Sequence, residues 1–158
     1  LMDGIAARNE LDNPCMDAPV LAADTVVSLG GKILGKPRDL EEAARFMREL
    51  SGRTHEVRTA VAVGRSREDY RALVVLSRVT MRPISEEEIG RYVMTDEPYD
   101  KAGGYGIQGL AGLFVQSVAG SYTGIMGLPV CEAAELLKSY GAPAPALFQP
   151  MPTSSTSK

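Results

Sequence analysis

The stretch Leu21-Ala22-Ala23-Asp24-Thr25-Val26-Val27-Ser28, continued by Leu29-Gly30-Gly31-Lys32-Ile33-Leu34-Gly35-Lys36-Pro37, decides how this chain folds. Its first half, rich in Val and Ala, reads as a buried strand. Gly30-Gly31 then makes a two-residue turn that brings the chain back as an antiparallel partner. A carboxylate stands in the middle of the first strand. Taking it out of water requires a cation, a metal or hydrogen bonds, so Asp24 has either a structural partner or a ligand. Lys36, held between Gly35 and Pro37, places a base on the neighbouring strand.

Working outward, residues 1–12 read as the tail of a helix that Asn13-Pro14 breaks. Downstream of the hairpin, Asp39 is an N-cap with Glu42 as the reciprocal half of a capping box. Leu40, Ala43, Ala44, Met47 and Leu50 recur at helical spacing, and Ser51-Gly52 stops that helix. A strand is expected over 55–63, a charged turn over 65–69 and a long strand over 70–81, paired as a hairpin. Ser85 with Glu88 opens a second capped helix, and Pro129 suits the first turn of a last one that ends at Gly141. Between them lies Asp96 to Gly109, dense in glycine, and an apolar strand is expected over 113–118. Strands mixed with helices predict an α/β fold with a twisted sheet of mixed direction and flanking helices. Residues 1–141 form one domain in this reading, and residues 142–158, rich in Pro, Ser and Thr, a disordered tail.

Composition narrows the function. The chain has 158 residues, 44% of them hydrophobic and 23% charged, with a net charge of -3, enough for one real core. That acidic balance gives no global field to gather a nucleic acid polymer or an anionic membrane, so any bound anion needs a local cluster. Cys15 and Cys131 lack metal spacing and fit reduced thiols in a cytoplasmic protein. No apolar run approaches the ~18 residues of a membrane span. There is no phosphate-binding P-loop, no nucleophile elbow and no Cys or His cluster. His55, the one histidine, reads as strand surface or as a satisfied polar group. Asp24, Lys36, Lys101 and the Gly103-Gly104 loop remain, and that combination suits a hard cation with a polyphosphate. Glycine there either lets backbone amides approach a ligand or serves only to permit positive φ.

Five blocks then carry a resemblance: Leu21 to Val27, Ile33-Leu34-Gly35-Lys36-Pro37, Leu50-Ser51-Gly52-Arg53-Thr54-His55-Glu56-Val57, Glu97 to Gly109, and Gly127-Leu128-Pro129. Together they closely resemble the Maf family of nucleotide pyrophosphatases. The resemblance implies a sheet shared with inosine triphosphate pyrophosphatases, with two lobes around a cleft. It also implies hydrolysis of a nucleoside triphosphate to the monophosphate and pyrophosphate with Mg²⁺ or Mn²⁺. By the same resemblance Asp24 is the proton acceptor and metal ligand, while Lys36 and Lys101 neutralise phosphate charge. Thr25 and Gln108 set base choice, with Gly103 and Gly104 as further candidate substrate-binding residues. A glutamine amide offers a donor and an acceptor, which suits the O4 and N3–H edge of uracil or thymine. The pyrimidine subgroup, dTTP and UTP, is therefore a better match than the 7-methyl-GTP subgroup. A homodimer is a further implication. Family members begin with a Ser-x-Ser-x-Arg-Arg segment that grips the triphosphate, and this sequence does not contain it. The chain is accordingly expected to be truncated at its N-terminus. A catalytically impaired nucleotide- or partner-binding remnant is the alternative.

Overall fold

A computed structural model describes residues 18–141. The expectations for residues 1–12, for Cys15 and for the tail at 142–158 fall outside the described residues. Strand β1 (Val20–Leu29) turns through Gly30 and Gly31, at φ 57° and 84°, into β2 (Lys32–Leu34). Two successive positive φ values are the type I′ geometry that glycine adopts without steric cost, which is why the hairpin turns here. Helix α1 (Leu40–Leu50) follows, then β3 (Thr54–Gly64) and β4 (Tyr70–Met81). Helix α2 (Glu86–Val93), a run of 3₁₀ turns from Glu97 to Phe114, β5 (Val115–Ala119), the short α3 (Tyr122–Ile125) and α4 (Val130–Ser139) complete the order.

The strands form one sheet in the order β2-β1-β3-β4-β5, and every pairing is antiparallel. The α/β class and flanking helices are as expected, but the mixed direction is not seen among the described residues. Its physical reason is a crossover: α1 joins β2 to β3, which run the same way, but β1 lies between them and pairs antiparallel with both.

Local capping chemistry explains the helix starts. The Asp39 side chain accepts the Glu42 N–H at 2.8 Å, whereas the Glu42 carboxylate accepts from the Arg38 N–H and guanidinium instead of the cap's own N–H. Ser85 and Glu88 close a complete capping box. One side of the sheet carries the core. Val27, Val57 and Val79 pack with Phe46, Met47 and Leu50 of α1 and with Ile89 and Tyr92 of α2. Farther along, Val61 and Val63 are buried near α3 and α4. Leu40, expected in the apolar stripe of α1, is 48% exposed because it sits in the first turn, ahead of the face that meets the sheet. Among the described residues no helix is long and apolar enough to cross a membrane.

Candidate active site

A cavity of about 260 Å³ opens where β1 and β3 meet two loops. Thr25, Val27 and Val57 form its sheet wall, Asp100 to Ala102 and Tyr105 to Gln108 a second wall, and Ile125 to Gly127 a third. The register explains the first wall. Thr25 pairs with Thr59 and Val27 with Val57, so their side chains stand on the same face of the sheet. The Thr25 hydroxyl lies 2.9 Å from that of Thr59, which donates to the Gly124 carbonyl at 2.6 Å and ties in the third wall.

Of the residues singled out from sequence, Thr25, Lys101 and Gln108 line this cavity together. Lys36 is exposed and does not line it. It is brought close by its neighbour: the Gly103 N–H donates to the Gly35 carbonyl at 3.0 Å, stitching the lysine's loop to the turn that follows Lys101. Gly103 and Gly104, expected among the substrate-binding residues, are not part of the cavity lining. Both are buried away from the cavity wall at φ 75° and 71°, and their N–H groups already bond Gly35 and Lys101. A Cβ on Gly103 would meet Val27 at 2.9 Å, so glycine here allows close packing on β1.

Asp24 also departs from expectation. It is exposed, not buried, and absent from the cavity lining. Side chains alternate along a strand, so with Thr25 and Val27 facing the cavity Asp24 stands on the opposite side of the sheet. Its carboxylate reaches round to accept the Thr25 N–H at 2.9 Å. Leu29 and Val27 pair with Lys32 and Leu34 of β2, and the same two-residue period sets the Thr25 N–H on that outer edge, where β2 has ended. Among the described residues the carboxylate therefore hangs at an open strand edge, one residue from the cavity wall.

The acid that does meet the lysines is Asp100, which the sequence reading passed over. The Lys101 ammonium donates to Asp100 at 2.8 Å. That hydrogen bond, with a smaller contribution from the Lys36 charge, holds the Asp100 carboxyl below the usual range. Glu97 was missed as well. Its carboxylate accepts N–H groups from Leu110 at 2.6 Å, Ala111 at 3.0 Å and Gly106 at 3.3 Å, and the Tyr92 hydroxyl at 3.1 Å. Burial alone pushes this carboxyl up, but the backbone donors outweigh it and leave the pKa below the ordinary value. The one sequence signal for Glu97 was the glycine at 106 and 109, the second of which has no room for a Cβ beside that carboxylate.

Of the two readings of His55, the structure favours the buried polar group over the strand surface, since the residue is 1% exposed. Its Nε2 lies 2.6 Å from the Tyr105 hydroxyl, and the rings meet edge to face with centroids 5.3 Å apart. Its Nδ1 is buried without a partner. Burial lowers the imidazole pKa to about 4, so the ring is neutral near pH 7.

Among the described residues no three His, Cys, Asp or Glu side chains gather as a metal cage. Asp100 at the cavity and Asp24 at the strand edge are the carboxylates that could share a hard cation with substrate phosphates and water, an arrangement that asks for only one or two.

Comparison with known proteins places this geometry. The chain is 55% identical to a dTTP/UTP pyrophosphatase of Bordetella parapertussis over 132 residues, covering 82% of this chain and 62% of that protein. It is 51% identical to one of Escherichia coli K12 over 136 residues, covering 86% and 68%. It is 56% identical to one of Dechloromonas aromatica over 124 residues, covering 78% and 61%. The chain thus spans about three-fifths of the length of curated relatives it matches. The sequence model of the Maf-like protein family matches residues 5–140, nearly the whole chain, and on that match the chain belongs to the Maf-like family.

Proposed function

We propose that this chain is a nucleoside triphosphate pyrophosphatase that cleaves dTTP and UTP to the monophosphate and pyrophosphate. The observation that carries the reading is the meeting of Thr25, Lys101 and Gln108 in one cavity. Its volume is below the roughly 300–1,000 Å³ of pockets that enclose a whole small ligand, so it takes the base and sugar and leaves the phosphates outside. The relatives named as dTTP/UTP pyrophosphatases support the pyrimidine choice. At Gln108 the amide pairs with the O4 and N3–H edge, and Thr25 bounds the base from β1. Lys101 at the cavity wall and Lys36 beside it receive the phosphate oxygens.

Asp24 is the proton acceptor in this reading. It stands at the open edge of β1, where phosphates leaving the cavity past Thr25 would run. There it orients water toward the α-phosphorus or offers one oxygen to the divalent ion that travels with the triphosphate. Magnesium or manganese supplies charge neutralisation on the phosphates. Among the described residues, the groups assigned to the phosphates in this reading are one carboxylate and two ammonium groups. A second copy of the chain as dimer partner belongs to the same reading.

Pyrophosphate release from dTTP, UTP and 7-methyl-GTP with Mg²⁺ or Mn²⁺ tests the proposal. Turnover of the two pyrimidine nucleotides is expected, with Asp24→Asn slower by roughly 10²–10⁴-fold. Equal rates for both proteins would remove Asp24 from the chemistry. The exposure of Asp24 outside the cavity favours a second reading, nucleotide binding without hydrolysis, which calorimetric dTTP binding with no pyrophosphate release would establish.

A further inference from the structure

Glu97 touches no part of the cavity, and yet the cavity's second wall is folded around it. Gln108 lies between Gly106 and Leu110, and the N–H groups of both end on this single carboxylate, joined by that of Ala111. The Tyr92 hydroxyl holds the carboxylate from behind. On the far side, a Cβ at Gly109 would fall on Glu97 Oε2, so the chain passes the carboxylate with no space to spare. Tyr105, Ile107 and Ala111 pin the loop to the core, but between Ile107 and Ala111 the side chains of Gln108 and Leu110 are exposed and contribute little apolar packing. Over that exposed stretch, charge-assisted bonds to the Glu97 carboxylate add to the local turns in fixing the backbone.

We propose that Glu97 is a positioning residue for base discrimination: by gripping the amides on either side of Gln108, it holds that side chain at the angle that reads a pyrimidine edge. The inference rests on the reading that Gln108 faces the base. It also separates two functions of one loop. Lys101 has its ammonium held by Asp100, not by Glu97, so the grip on phosphate and the choice of base depend on different carboxylates. Glu97→Gln replaces an all-acceptor group by one whose NH₂ opposes backbone donors. Gly109→Ala leaves the carboxylate intact and pushes on it from the loop side. The backbone at Gly109, φ −106°, puts no strain on an alanine.

Equilibrium binding to the full chain decides the matter, with dTTP, dGTP and inorganic tripolyphosphate as probes and thermal melting to follow folding. Wild type should prefer dTTP to dGTP. In Glu97→Gln and in Gly109→Ala, dTTP affinity should fall roughly tenfold and the preference collapse, while tripolyphosphate stays within about twofold. In a Gln108→Ala background, Glu97→Gln should change the remaining preference by less than about twofold, because the two residues act as a unit. Gly109→Ala retains the anchor, so it reads the effect even where Glu97→Gln fails to fold. A parallel loss of dTTP and tripolyphosphate, or an unchanged dTTP preference in both variants, would overturn the role of Glu97 alone. A wild-type protein that binds dTTP and dGTP equally would bring down the base-reading assignment together with it.

Discussion

The two faces of the sheet differ in what lies over them. On one, Val57, Val61, Val63 and Val79 are at most 1% exposed beneath the helices. On the other, Tyr70, Val74 and Leu76 are 44%, 63% and 40% exposed, and Asp24 stands in the same layer of alternating side chains. The covered face holds the proposed recognition apparatus, with Thr25 on the sheet and Lys101 and Gln108 on the loop whose amides Glu97 binds. Proposed recognition is thus built into the described residues, whereas the acid proposed for chemistry stands on the side with least around it. Packing makes a cavity wall precise, and an exposed carboxylate has nothing comparable to fix it.

The sharpest way to break this contrast is acid. His55 is, with Thr59, among the most deeply buried polar groups of the covered face, and its pKa is lowered from 6.5 to about 4 by burial. Between those values the unfolded chain binds the proton and the native one does not, so stability rises with pH through this window and is lost on going down. The loss across it is about 3 kcal/mol. His55→Gln should abolish that slope in urea titrations at a series of pH values. An unchanged slope would mean that the imidazole is open to water, and that the covered face is not dry at Tyr105.

A smaller effect of opposite sign sharpens the comparison at the phosphate end. Asp100 and Asp24 are both exposed, but Lys101 bonds Asp100 directly. A triphosphate arriving without a metal must displace that carboxylate. Asp100→Asn should therefore tighten metal-free dTTP binding about two- to fivefold, with the gain shrinking at high salt, and Asp24→Asn should not. Equal behaviour of the two variants would erase the distinction between the acid by the lysines and the acid at the edge.

How much of this the sequence disclosed follows the range of each interaction. The Gly30-Gly31 turn, the caps at Asp39 and Ser85 and the stop at Gly52 are decided within four residues, and all were legible. That Thr25, Lys101 and Gln108 belong together was signalled only by motif resemblance, and the structure puts all three in one cavity lining. The exposure of Asp24 was partly legible, since strict alternation from an inward Val27 puts it outside, but an apolar run reads as buried on both faces. The anchors were not. Glu97 binds amides 9, 13 and 14 positions downstream, and His55 meets Tyr105 across 50 residues. Only the closed loop and the packed sheet bring those pairs together.

The smallest expected effect tests the open face itself. Val74 is 63% exposed and its register partner Ala60 is only half-buried, so few contacts surround the valine to be lost. Val74→Ser should change stability by less than about 0.5 kcal/mol, as surface substitutions do, against the roughly 2–3 kcal/mol expected where a buried valine is truncated, as at Val61. Chemical denaturation of both variants gives the two numbers side by side. A cost at Val74 close to that at Val61 would show this face to be covered in solution. Asp24 would then be enclosed by whatever covers Val74, and its carboxylate would acquire the low-dielectric surroundings that the described residues do not give it.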